Sequence, residues 1–194
     1  RQHAIALEIV DLGVKNLPAA EGLVSRKVAE STQSFLQADA MTPAQCQQAM
    51  SVGAERVSLA AKQGSNVVAF GEMGIANTAS AAAVMAGCLN IDVAECVGRG
   101  TGLDDKGLQH KTAVLQQAMA YHQGEHTPEQ WLAKVGGFEL AAMVGAMLQA
   151  AQQRMVILVD GFICSAAALV ASQIAPLVSQ YMVFCHQSAE QAHQ

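Results

Sequence analysis

The stretch NVVAFGEMGIANTASAAAVMAGCLN, Asn66 to Asn90, decides how this chain is read. It opens with a short apolar run, Val67 to Phe70, passes through Gly71, Glu72, Met73 and Gly74, and enters an alanine-rich segment. Those features spell a strand, a tight glycine turn and a helix N-terminus. In a parallel α/β sheet such a turn lies at the carboxyl end of its strand, the edge where ligands bind. Gly71 and Gly74 let the backbone approach a ligand closely, and Asn77 or Thr78 is expected to cap the helix. Free amides and the positive end of the helix dipole then point at one spot suited to phosphate. Glu72 would repel an anion there, so it is assigned to another part of the ligand.

Composition limits the alternatives. A chain of 194 residues suits a single domain, and 52% hydrophobic with only 4% aromatic residues calls for a core of Ala, Val, Leu, Ile and Met. Eleven basic and sixteen acidic residues give a formal charge of −5 without a block of like charge, which argues against nucleic acid as partner. Cys46, Cys88, Cys96, Cys164 and Cys185 are scattered and lack zinc-site spacing, and most sit in apolar surroundings, which reads as buried thiols in a reducing cytosol. No apolar run reaches the ~20 residues that span a bilayer. The expected partners are therefore small molecules, with no metal, no cofactor and no membrane, in the cytoplasm.

Outward from the turn, Ala4 to Leu12 reads as a strand buried on both faces, and Asn16 to Ala40 as loop with at most short helices. Thr42 and Pro43 start a helix that Gly64 stops, with Cys46, Met50, Val57 and Ala61 as its buried stripe. It is expected to cross over from the first strand to a central strand at Val67 in one sheet. After the alanine helix, Val97 to Lys111 forms a glycine-rich loop leading into a helix, carrying Arg99, His110 and Lys111. Thr127 and Pro128 cap a short helix that ends at Gly136 and Gly137, and Phe138 to Gln153 is helical. Met155 to Val159 is a strand followed by Asp160, Gly161 and another alanine-rich helix; Tyr181 to Cys185 is a last strand, and His186 to Glu190 opens a final helix. The predicted fold is α/β, a three-layer α/β/α arrangement with a mostly parallel, Rossmann-like sheet, as one nucleotide-binding or catalytic domain over residues 1–194.

Five strings carry a family resemblance: GEMGIANT, VGRGTGLDDKGLQHK, KVGGFELAAMVGAML, VDGFICSAAAL and CHQSAE. In order and spacing the chain resembles the nicotinate-nucleotide:dimethylbenzimidazole phosphoribosyltransferases, which make the α-ribazole phosphate of the lower cobalamin ligand. The resemblance implies transfer of phosphoribose from nicotinate mononucleotide to 5,6-dimethylbenzimidazole, in a homodimer. Glu72, Gly74, Ile75, Ala76, Asn77 and Thr78, beside Gly71, would form the nucleotide site; Lys111 and Ser188 would line the phosphate; Asp160 and Glu139 would stand near the ribose. Members are usually longer, so the chain is similar to an internal portion without the N-terminal segment or the C-terminal motif carrying the general base. Glu72 is the candidate catalytic group that remains. A catalytically silent binding or assembly module, or a relative with another acceptor base, is the alternative.

Overall fold

The computed structural model describes residues 5–74, 76–100 and 102–186. Within them run β1 (Ile9–Asp11), β2 (Leu23–Ser25), α1 (Pro43–Lys62), β3 (Val67–Ala69), α2 (Asn77–Leu89), α3 (Val93–Cys96), α4 (Asp105–Tyr121) and α5 (Pro128–Val135). They are followed by α6 (Phe138–Gln152), β4 (Val156–Val159), α7 (Gly161–Ile174), a 3-10 turn (Pro176–Tyr181) and β5 (Met182–Phe184). All strand pairings among the described residues are parallel, so the expected α/β class is present.

The strands divide into two sheets, β1-β2 and β3-β4-β5, rather than one. The helix α1 therefore connects two sheets and does not close a crossover within one, and β3 is an edge strand with β4 in the middle. The N-terminal run is also not buried on both faces: Ile5, Leu7 and Ile9 are exposed, and the strand shrinks to three residues paired with β2, a strand inside the stretch expected to be loop. Side chains fix it instead. Buried Asp11 accepts from the amides of Gly13 (3.0 Å) and Val14 (2.9 Å), and Arg56 of α1 grips Glu8 with Nε at 2.7 Å.

The helices begin where their caps dictate. Thr42 and Thr127 each accept from the amide three residues on, while Gln45 and Gln130 reach back to the cap amide, a reciprocal box that satisfies two otherwise orphaned donors. Thr42→Ala is expected to cost about 1 kcal/mol, read as a lower urea midpoint at unchanged slope.

The low aromatic content has a structural counterpart in backbone contact. A Cβ on Gly53 of α1 would lie 1.9 Å from the Ala142 carbonyl oxygen of α6, and one on Gly145 would lie 2.0 Å from the Met50 carbonyl oxygen. Two glycines, one per helix, thus let α1 and α6 touch main chain to main chain. Leu140, Val144 and Met147 on α6 are fully buried, as is Ile157 on β4. Both α6 and α7 pack on β4, which fixes the middle of the sheet and hence the edge that follows Val159.

Candidate functional site

Parallel register brings the expected ends together. Ala69 pairs with Leu158, and Val159 with Phe184, so β3, β4 and β5 all deliver their carboxyl ends to one edge. A cavity of about 220 Å³ opens there, lined among others by Gly71, Glu72, Thr78, Gly100, Asp160 and Cys164. Asp160 caps α7 in extended conformation without a side-chain cap bond, which leaves its carboxylate on the cavity wall.

The turn between β3 and α2 differs from expectation in its caps. Ala76 is the N-cap, in the left-handed region (φ 71°, ψ 6°), and no side chain caps the helix. Asn77 and Thr78 fall within the first helical turn and serve other partners. The Asn77 amide group donates to the Glu72 carboxylate, and Thr78 Oγ1 accepts from Lys111 Nζ at 3.0 Å. Two of the amides also close the turn internally, Asn77 N on Gly74 O (3.1 Å) and Ala79 N on Ala76 O (2.9 Å). Asn77 thus holds the Glu72 carboxylate against the helix end whose positive pole favours it.

Lys111 reaches this point from α4. Its ammonium also donates to Gly98 O at 3.2 Å, tying the glycine loop to the first turn of α2. A Cβ on Gly100, itself left-handed (φ 54°), would lie 3.4 Å from Thr78 Oγ1 and 3.9 Å from Lys111 Nζ, so the loop crosses close over both. Arg99, the other cation of that loop, is turned to its own segment: it pairs with Asp105 and donates to Leu103 O (2.9 Å). His110 and Lys111 both line a second cavity, of about 300 Å³, with Thr32, Phe35 and Val114, so the lysine stands between the two cavities and meets the first through Thr78. Ile75 and Ser188 lie outside the described residues.

Glu139 stands in the first turn of α6, folded back over Gly137, where any Cβ would come within 2.4 Å of its Oε1. Burial pushes its carboxyl up, its own amide offsets part of this, and the negative charge of Glu72 pushes the same way as burial. A carboxyl that holds its proton more tightly when folded contributes stability below its ordinary pKa, and that contribution is lost as pH rises through the folded value. Glu139→Gln is expected to flatten the fall of melting temperature with rising pH above the ordinary carboxyl range.

Sequence reasoning missed Cys164 and Met143 as cavity residues, although each follows a chosen carboxylate, Asp160 or Glu139, by four positions on the same helix face. Burial pushes the Cys164 thiol up to about 11, so it lines the cavity as a small apolar group. Among the described residues no three His, Cys, Asp or Glu side chains are grouped to hold a metal ion, and no helix is long and apolar enough to cross a membrane.

A family model described as Phosphoribosyltransferase matches residues 1–194. The chain belongs to this phosphoribosyltransferase family. It is similar to the nicotinate-nucleotide–dimethylbenzimidazole phosphoribosyltransferase of Cupriavidus necator, 55% identical over 194 residues, which is 100% of this chain and 56% of that protein. The protein of the same name from Ralstonia nicotianae is 53% identical over 197 residues, covering 100% of this chain and 55% of the relative. The crystal structure of CobT from Thermus thermophilus superposes with a TM-score of 0.91 at 36% identity, over 97% of this chain and 57% of that one. The chain thus spans just over half the length of the curated relatives it matches.

Proposed function

We propose that this chain carries the nucleotide side of an active site that transfers phosphoribose from nicotinate mononucleotide to 5,6-dimethylbenzimidazole, giving α-ribazole 5′-phosphate and nicotinate. The observation that carries the reading is the bond from the Lys111 ammonium to Thr78 in the first turn of α2, since Thr78 itself lines the cavity walled by Glu72 and Asp160. An ammonium beside a helix N-terminus suits the 5′-phosphate. The family resemblance to enzymes named for this reaction supports the choice of substrates.

In the reaction a benzimidazole nitrogen forms a bond to the ribose C1′, and the bond from C1′ to the pyridine nitrogen breaks with its electron pair leaving on nicotinate. Attack from the opposite face inverts the centre and gives the α-glycoside. Positive charge builds on the ribose as the old bond lengthens, and the carboxylates of Glu72, held by Asn77, and of Asp160, on the cavity wall, are assigned to stabilise it. As its unprotonated nitrogen attacks, the incoming base loses the one N–H proton on its other ring nitrogen; Glu72, oriented by Asn77, is assigned as the acceptor available within these residues, a role typically contributing ~10²- to 10⁴-fold. Glu139 assists at the ribose side, and Gly71, Gly74, Ile75, Ala76 and Ser188 belong to the nucleotide cradle. A homodimer acting in the cytoplasm goes with this reading.

Calorimetric titration with nicotinate mononucleotide tests it. Saturable binding of one nucleotide per chain supports the assignment, and no binding at millimolar nucleotide contradicts it.

A further inference from the structure

The two cavities that meet at Lys111 differ in charge. The first is walled by the carboxylates of Glu72 and Asp160, whereas the second, of about 300 Å³, has no carboxylate in its lining. In a chain of formal charge −5 that is a local reversal of sign, because Lys111 brings a positive charge to the second wall. Acidic residues on either side of the loop that forms this wall are engaged elsewhere, Glu30 with Lys27 at 3.5 Å and Asp39 with Lys134 at 3.3 Å. Phe35, Val114 and the buried Leu115 make an apolar floor. Thr32, Gln33, Ser34 and His110 supply the polar rim, and their side chains make no hydrogen bond or ion pair among the described residues. The wall is also set in advance. Buried His122, which ends α4, donates from Nε2 to the Phe35 carbonyl oxygen at 2.7 Å. Gln33 N bonds to Ala40 O at 2.8 Å, and Ala40 N to Lys134 O at 2.8 Å, which stitches the loop to α5.

We propose that this second cavity is a binding site for a small, single-ring aromatic carboxylate. Small-molecule sites pair a largely apolar, preformed wall with a few convergent polar groups, and both are present here. A flat ring lies against Phe35, Val114 and Leu115, which removes apolar surface from water on both sides of the contact. Its carboxylate then faces the hydroxyls of Thr32 and Ser34, the Gln33 amide and the His110 imidazole, within the field of the Lys111 charge. The Lys111 ammonium is already held by Thr78 and Gly98, and the attraction draws on its charge rather than on a vacant N–H. A bare phosphate suits the cavity less well, because its lone pairs would face the apolar floor unsatisfied. The proposal rests on the lining of this cavity and not on the nucleotide assignment, and its probe contains no nucleotide.

Titration of the chain with benzoate, followed by amide chemical shifts, tests it, with benzamide and inorganic phosphate as comparison probes. Benzoate is expected to give saturable shifts at Thr32 to Leu36, Val114 and Leu115 in the millimolar range, with the Gly71 to Gly74 amides unmoved. Benzamide keeps the ring and loses the charge, so it is expected to bind at least about tenfold more weakly. Ser34 is exposed, and Ser34→Glu sets a carboxylate at the rim; it is expected to weaken benzoate by a similar factor. Any one of four results overturns the proposal: no saturable shift around Thr32 to Leu36 with benzoate, benzamide binding as tightly as benzoate, phosphate binding there more tightly than benzoate, or unchanged benzoate affinity in Ser34→Glu.

Discussion

Lys111→Ala is expected to weaken nicotinate mononucleotide binding by about 10- to 100-fold, the range that corresponds to losing a charge-assisted hydrogen bond of ~1.5–3 kcal/mol. The ammonium is held by Thr78 and Gly98 at 3.0 and 3.2 Å, so it is pre-positioned at the helix end before any ligand arrives. Lys111→Arg preserves charge but not a compact ammonium between two fixed oxygens, and is expected to recover only part of the affinity. Calorimetry on all three proteins at fixed ionic strength reads both effects. Unchanged affinity in Lys111→Ala removes this residue from the site.

The second large effect concerns the helix pair that supports the sheet. Gly145→Ala places a methyl group 2.0 Å from the Met50 carbonyl oxygen, a main-chain atom that cannot rotate away. Relief requires α1 and α6 to separate, which opens gaps around buried Val144 and Met147. The expected cost is about 3 kcal/mol, at the upper end of the overpacking range, with a correspondingly lower urea midpoint. Gly64→Ala is a useful contrast: a Cβ there meets open space, but the backbone is left-handed (φ 90°), so its smaller cost is conformational alone. A midpoint for Gly145→Ala equal to that of the parent chain contradicts the packing described here.

How much of this could be read in advance varies with the range of the interaction. The turn after β3, the Thr-Pro helix starts and the carboxylate after β4 are legible because each is written within a few consecutive residues: glycines, a cap, a proline, a run of alanine. The division into two sheets is not, since β1 and β2 are three residues long and their pairing is decided by contact with α1, as in the Arg56–Glu8 pair. Asn77 and Thr78 are plausible caps by type. Their side chains are claimed by Glu72 and by Lys111, the latter 33 residues away, and no local pattern announces either bond. Ala76 takes the left-handed cap position although glycines stand nearby, which residue type alone argues against. Lys111 itself is indicated by family resemblance, and the α4 geometry then gives it a physical reason.

The backbone beside Gly74 and the ammonium of Lys111 are assigned here to a single anion at the carboxyl edge of β3 and β4. Amide chemical-shift mapping during titration with nicotinate mononucleotide tests it most directly. Saturating shifts are expected at Gly71 to Thr78, Gly98 to Gly100, Lys111 and Asp160 to Cys164. Shifts gathered instead around Thr32 to Leu36 and Val114, with the Gly71 to Thr78 amides unmoved, would contradict it.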